Sequence, residues 1–129
     1  MTLRPPLSGR RGITIIELAI VLAITAILAS LAVVTYGKFA NKARFTQAQI
    51  ALKHLQKTET VWFSEHDTYS DNLVVLDFDP TKYDYYQVSV AVDNDARDFT
   101  GRADGISAMA GDRWHITRDG DPLHDTPNF

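Results

Sequence analysis

No cysteine occurs among the 129 residues, which excludes structural disulfides, thiol catalysis and cysteine-based metal or haem sites. Proline is absent from Leu7 to Asp79, so nothing in that stretch has to break a helix. Glycine is confined to seven positions, and none of them forms a phosphate-cradling loop. No Ser-His-Asp arrangement can be argued from spacing, and there is no internal repeat or low-complexity tract. His54, His66, His115 and His124 match no short metal-ligand spacing and read as surface or loop histidines. Asp119, Asp121 and Asp125 do not follow the calcium-loop pattern, and Asp93, Asp95 and Asp98 read as turn formers. These absences predict a protein that is not an enzyme and that uses no metal and no cofactor.

Charge of one sign is also missing locally. Residues 1–12 hold Arg4, Arg10 and Arg11 and no acid. Residues 37–64 hold Lys38, Lys42, Arg44, Lys53 and Lys57 against Glu59 alone. Residues 65–129 hold fourteen acids against five bases, which dominates the formal net charge of −3. An acidic C-terminal part disfavours nucleic acid as a partner. The basic stretch suits anionic lipid or an acidic neighbour.

What is present is one long apolar run. Residues 13–36, ITIIELAIVLAITAILASLAVVTY, contain a single charge, Glu17. Twenty-four helical residues span about 36 Å, enough for a hydrocarbon core of roughly 30 Å. A cleavable secretory signal would have a shorter apolar region followed by a small-residue cleavage site. Here the run is long and its glycine, Gly12, precedes it, so a signal anchor fits better. The arginines of residues 1–12 mark the cytoplasmic side, and two prolines and two glycines there predict a disordered leader.

From Lys38 to Phe63 the chain turns amphipathic. Ala48, Ala51 or Leu52, Leu55 and Trp62 recur near helical spacing, with Gln49, Lys53 and Lys57 off the stripe. One helix is predicted from about Thr14 to about Ser64. Three short antiparallel strands should follow. They are YYQVSVAV at 85–92, a segment at 98–103, and RWHITR at 113–118. Asp93-Asn94-Asp95, Asp104-Gly105 and Gly111-Asp112 supply the turns, and Asp121 to Phe129 reads as loop. The apolar face of that sheet needs cover, which the stripe around Leu52, Leu55 and Trp62 can supply. Trp62, Phe63, Tyr69, Tyr83, Tyr85 and Tyr86 are then chiefly core. The fold class is α+β. Its parts are a leader at 1–12, a membrane or filament-core helix at 13–36, an amphipathic continuation at 37–64, and a small antiparallel head at 65–129.

Glu17 carries the functional signal. A carboxylate inside an apolar span costs about 2.5–3.5 kcal/mol on insertion scales, and no partner for it is evident within the span. A cut after Gly12 would create an α-amino group on Ile13, one helical turn from Glu17. That amine is available to Glu17 of its own chain or of a neighbouring copy.

The run Arg10-Arg11-Gly12-Ile13-Thr14-Ile15-Ile16-Glu17-Leu18 resembles the N-terminal signature of type IV pilins and pseudopilins. The resemblance implies cleavage between Gly12 and Ile13 by a prepilin peptidase, N-methylation of Ile13, and an assembly role for Glu17. It further implies insertion in the inner membrane as a single-pass precursor. Assembly platform proteins would then extract the subunit into a homo-oligomeric helical filament, extracellular or periplasmic. The function so implied is a pilus subunit for adhesion or motility. Alternatives are a pseudopilin of a type II secretion system or a minor pilin acting as a ligand- or DNA-binding tip module. Ile13 stands where phenylalanine is common in the family. Ala26 and Val34 stand where many pilins have glycine and proline, which favours a continuous helix. The cysteine pair that closes the C-terminal loop of many major pilins is absent.

Overall fold

The computed structural model describes residues 12–127 and 129. One helix, α1, runs from Ile15 to His66 over 52 residues, passing through Gly37. Its length follows from the absence of proline; alanine and leucine recur along it among β-branched residues of only middling helix propensity. It stops at Asp67, which takes a left-handed conformation (φ 56°) and returns its N–H to the Phe63 carbonyl at 2.8 Å. This left-handed residue satisfies one of the orphan carbonyls at the helix end. The chain divides into two compact units, the first closing at Lys38 and the second running from Phe39 to Phe129.

In the first unit every described residue is exposed. In the second, the remaining length of α1 lies on a four-stranded antiparallel sheet of order β1-β2-β3-β4. The strands are β1 (Tyr86–Val92), β2 (Phe99–Gly105), β3 (Arg113–Thr117) and β4 (Leu123–His124). Registers of Val88 with Ala103, Ala103 with Trp114 and Trp114 with His124 align one inward row across all four strands. Tyr86, Val88, Phe99, Ala103, Trp114 and Ile116 face inward, alternating with exposed or half-exposed neighbours, as the period of a strand requires.

The helix meets this face through Ala48, Ala51, Leu52 and Leu55, all fully buried. Burying a leucine side chain is worth about 1.5–3 kcal/mol, so Leu52 and Leu55 are the principal anchors. Ala48 and Leu52 join Tyr86, Phe99, Trp114 and Ile116 in one cluster. Ala51 and Leu55 join Leu76, Phe78 and Val88 in the other. Small residues let the backbones approach. A Cβ on Gly101 would lie 2.6 Å from Leu55 Cδ2 and 3.0 Å from Ile116 Cγ2. A Cβ on Gly105 would lie 1.9 Å from the Met109 carbonyl oxygen, because the 3-10 turn Ser107–Met109 folds directly over it.

Three details depart from the sequence expectation. The C-terminal segment read as loop contains β4, which pairs Trp114 with His124 and His115 with Leu123. The middle strand starts at Phe99 and extends to Gly105. The buried helical stripe continues from Leu55 to Glu59, whereas Trp62 is only partly buried at the edge of the second cluster.

Candidate functional site

Gly12, Ile13 and Thr14 precede the first helical residue and carry no regular secondary structure. Thr14 caps the helix. Its Oγ1 accepts the Glu17 N–H at 3.2 Å, and its carbonyl accepts the Leu18 N–H at 3.1 Å. Glu17 reaches back, its Oε2 accepting the Thr14 N–H at 2.8 Å and the Thr14 hydroxyl at 3.0 Å. This is a capping box, in which two otherwise orphaned helix-end donors are satisfied reciprocally. It corrects the expectation that Glu17 lacks a partner within the span. The T-x-x-E spacing of Thr14 and Glu17 is the sequence signal for it. Both Thr14 bonds fall on Oε2, and among the described residues Oε1 of Glu17 receives none. A carboxylate in the first turn also faces the positive end of the helix dipole.

Around this end the chain is open. Ile13 is 80% exposed, and no described atom lies within 4 Å of a Cβ placed on Gly12. Glycine at 12 is therefore not demanded by packing within the described chain.

Beyond Glu17, α1 is long and apolar enough to cross a membrane by length and composition. The serine and threonine hydroxyls of its apolar stretch are turned onto the helix's own carbonyls. Thr25 bonds Val21, Ser30 bonds Ile27 at 2.7 Å and Thr35 bonds Leu31 at 2.9 Å. A polar group satisfied locally in this way can enter an apolar medium without a dangling donor.

The second unit holds two buried acids that sequence reading did not single out. Asp112 is fully buried. Its Oδ2 accepts the Tyr86 hydroxyl at 2.5 Å and the Trp114 indole N–H at 2.9 Å. Its Oδ1 meets His124 Nε2 at 2.6 Å and accepts the Thr126 hydroxyl at 2.5 Å. Burial alone would raise this carboxyl, but hydrogen bonds from Thr126, Tyr86, His124 and Trp114 together hold it below the ordinary carboxylate range. Burial and the adjoining Asp112 push the Tyr86 phenol up. His124 stacks on Trp114 with centroids 4.2 Å apart, and Phe45 of α1 lies against both rings. The C-terminal tail is thereby clamped to the sheet, which is why two residues suffice for β4. The other buried acid, Glu59, accepts the Ser70 N–H at 3.1 Å through Oε2.

The histidines read as surface or loop residues are each engaged, and His124 is a correction, being most of the way into this cluster. His54 Nδ1 meets the Tyr83 hydroxyl, His66 stacks on Trp62 and His115 pairs with Asp125. Asp119 pairs with Arg118 and Asp121 with Lys53, so Asp119, Asp121 and Asp125 each serve a different base. Among the described residues no group of three histidine or acidic side chains is placed to hold a metal ion. Arg44 lies over the Tyr85 ring, 5.0 Å from its centroid, and donates to Asn41.

Residues 7–33 match the family model for the prokaryotic N-terminal methylation motif. The chain is also similar to the type IV major pilin protein PilA of Myxococcus xanthus, with 35% identity over 112 residues. That alignment covers 82% of this chain and 51% of the relative, so the chain spans about half of that protein's length.

Proposed function

We propose that this chain, which belongs to the type IV pilin and pseudopilin family, is a structural subunit of a type IV pilus-like filament. The observation that carries the reading is the start of α1: a lone carboxylate in the first turn of an apolar stretch that is exposed as far as Lys38, beside an unencumbered glycine. The precursor sits in the inner membrane with its leader in the cytoplasm, and a prepilin peptidase cuts between Gly12 and Ile13. Glycine at 12 then answers to the peptidase's pocket, since nothing described in the chain requires it. Ile13 is N-methylated and keeps its positive charge. Glu17 Oε2 remains in its capping box, while Oε1 is free to accept the Ile13 amine of the next subunit. Such a pair fixes stagger more than it adds stability. Assembly platform proteins move the subunit from lipid into the filament, where apolar helices bury one another. The relative's description as a major pilin favours a pilus over a pseudopilus.

Mass spectrometry of the protein from its native host tests the processing, with an N-terminus at methylated Ile13 expected. A mature chain beginning at Met1 would overturn it. Glu17→Ala should leave insertion and cleavage intact and reduce sheared filament yield by an order of magnitude or more. Wild-type yield from that variant would remove Glu17 from the assembly role.

A further inference from the structure

The filament reading leaves Glu59 unused. It lies on the buried stripe of α1, one turn beyond Leu55, and is fully buried. Its Oε2 takes one hydrogen bond, from the Ser70 backbone, and its Oε1 has no partner among the described residues. No basic side chain stands within ion-pairing distance of it among the described residues. Asp71, on the loop that covers it, is of the same sign. An ionised carboxylate so placed would be buried with one donor and no counter-charge, an arrangement that proteins avoid by keeping the proton.

The Ser70 bond lies at a junction of three elements. Asp67 ends α1, the Tyr69 N–H donates to the Ala96 carbonyl at 2.8 Å, and the Tyr69 ring packs on Phe63 and Phe99. Residues 67–70 therefore tie the end of α1 to the β1–β2 turn, and Glu59 is the point where the helix grips that loop.

We propose that Glu59 is held as a neutral acid and acts as a pH-sensitive latch on the 67–72 loop, closed when protonated and weakened when ionised. The inference rests on the described head alone and stands whether or not the chain forms filaments.

The surroundings favour the protonated form on balance. Burial, opposed by the Ser70 bond and reinforced by Asp71, pushes the Glu59 carboxyl up to about 7. From the sheet side, Asp98, Arg118 and Asp119 act on Tyr69 beside it, and Arg118 is already paired with Asp119 at 3.2 Å. The folded state thus holds the proton above the pH at which an unfolded glutamate, at about 4.3, has lost it. Below that value the latch contributes fully, and its contribution is lost as pH rises through about 7.

The test is a carboxyl-carbon NMR titration of the full chain in detergent micelles, with Glu59→Gln as the assignment control. Hydrogen exchange at the Ser70 amide is measured in both proteins at pH 5 and pH 8. One resonance, missing in Glu59→Gln, should titrate near neutrality. Ser70 protection in the wild type, relative to Glu59→Gln, should fall at least several-fold between the two pH values. A Glu59 resonance titrating at about 4.3, or a protection ratio unchanged between pH 5 and pH 8, overturns the proposal. The titration is read on the wild-type chain, so it remains decisive if the variant folds poorly.

Discussion

Asp112 is kept charged in a core because four donors converge on it, from β1, β3, β4 and, just beyond β4, Thr126. An isolated buried carboxylate would be prohibitively costly, whereas one whose lone pairs are filled is tolerated. Asp112→Asn keeps the shape but brings an NH2 where a donor already points, so at least one contact becomes donor against donor. The expected loss is about 2–4 kcal/mol of unfolding free energy, read by urea denaturation in detergent. Preferential proteolysis after residue 118 should show the tail releasing first. Because the folded carboxyl lies below its unfolded value, the clamp's contribution is complete above about pH 4 and is lost as pH falls through the folded value. Glu59 runs the opposite way, so acid weakens one end of the head and neutrality the other.

Among elements, the contact between α1 and β2 is set by what is missing at Gly101. Gly101→Ala pushes on the flexible end of Leu55 at 2.6 Å and should cost about 1–3 kcal/mol. Gly105→Ala pushes on the Met109 backbone at 1.9 Å, which cannot turn aside, and should cost more. The reverse order in equilibrium unfolding would contradict this account of the packing. The helix and the strands β1 and β3 are legible in the sequence because proline is absent and the apolar residues recur at the right periods. Strand β4 is not legible. Two residues hold no alternation, and its existence depends on Asp112, eleven positions before it, acting through His124 and Thr126. The capping box is spelled out by Thr14 and Glu17. It is easily passed over because a glutamate in apolar surroundings directs attention to cations rather than to a neighbouring hydroxyl. Glu59 is hidden for a similar reason: its spacing from Leu55 places it on the buried stripe, but a charged side chain there is discounted as core until the loop folded over it is seen.

At the scale of the molecule, the dominant feature is the division of charge between a basic helix and an acidic head. In a filament, Lys38 and Lys42 are available to acidic residues of neighbouring heads; neither forms an ion pair among the described residues. Screening shortens from ~10 Å at 0.1 M salt to ~3 Å at 1 M. Sedimentable filament should therefore decline as salt is raised, and Lys42→Glu should lower it already at low salt. Yield indifferent to both changes would discard this pairing. The clamp around Asp112 has a wider consequence. It joins chain end to sheet with oxygen and nitrogen instead of sulfur, so its closure has no reduction potential. A reductant cannot open it, no oxidase is needed to make it, and it re-forms whenever the head refolds, in anaerobic surroundings as readily as in air.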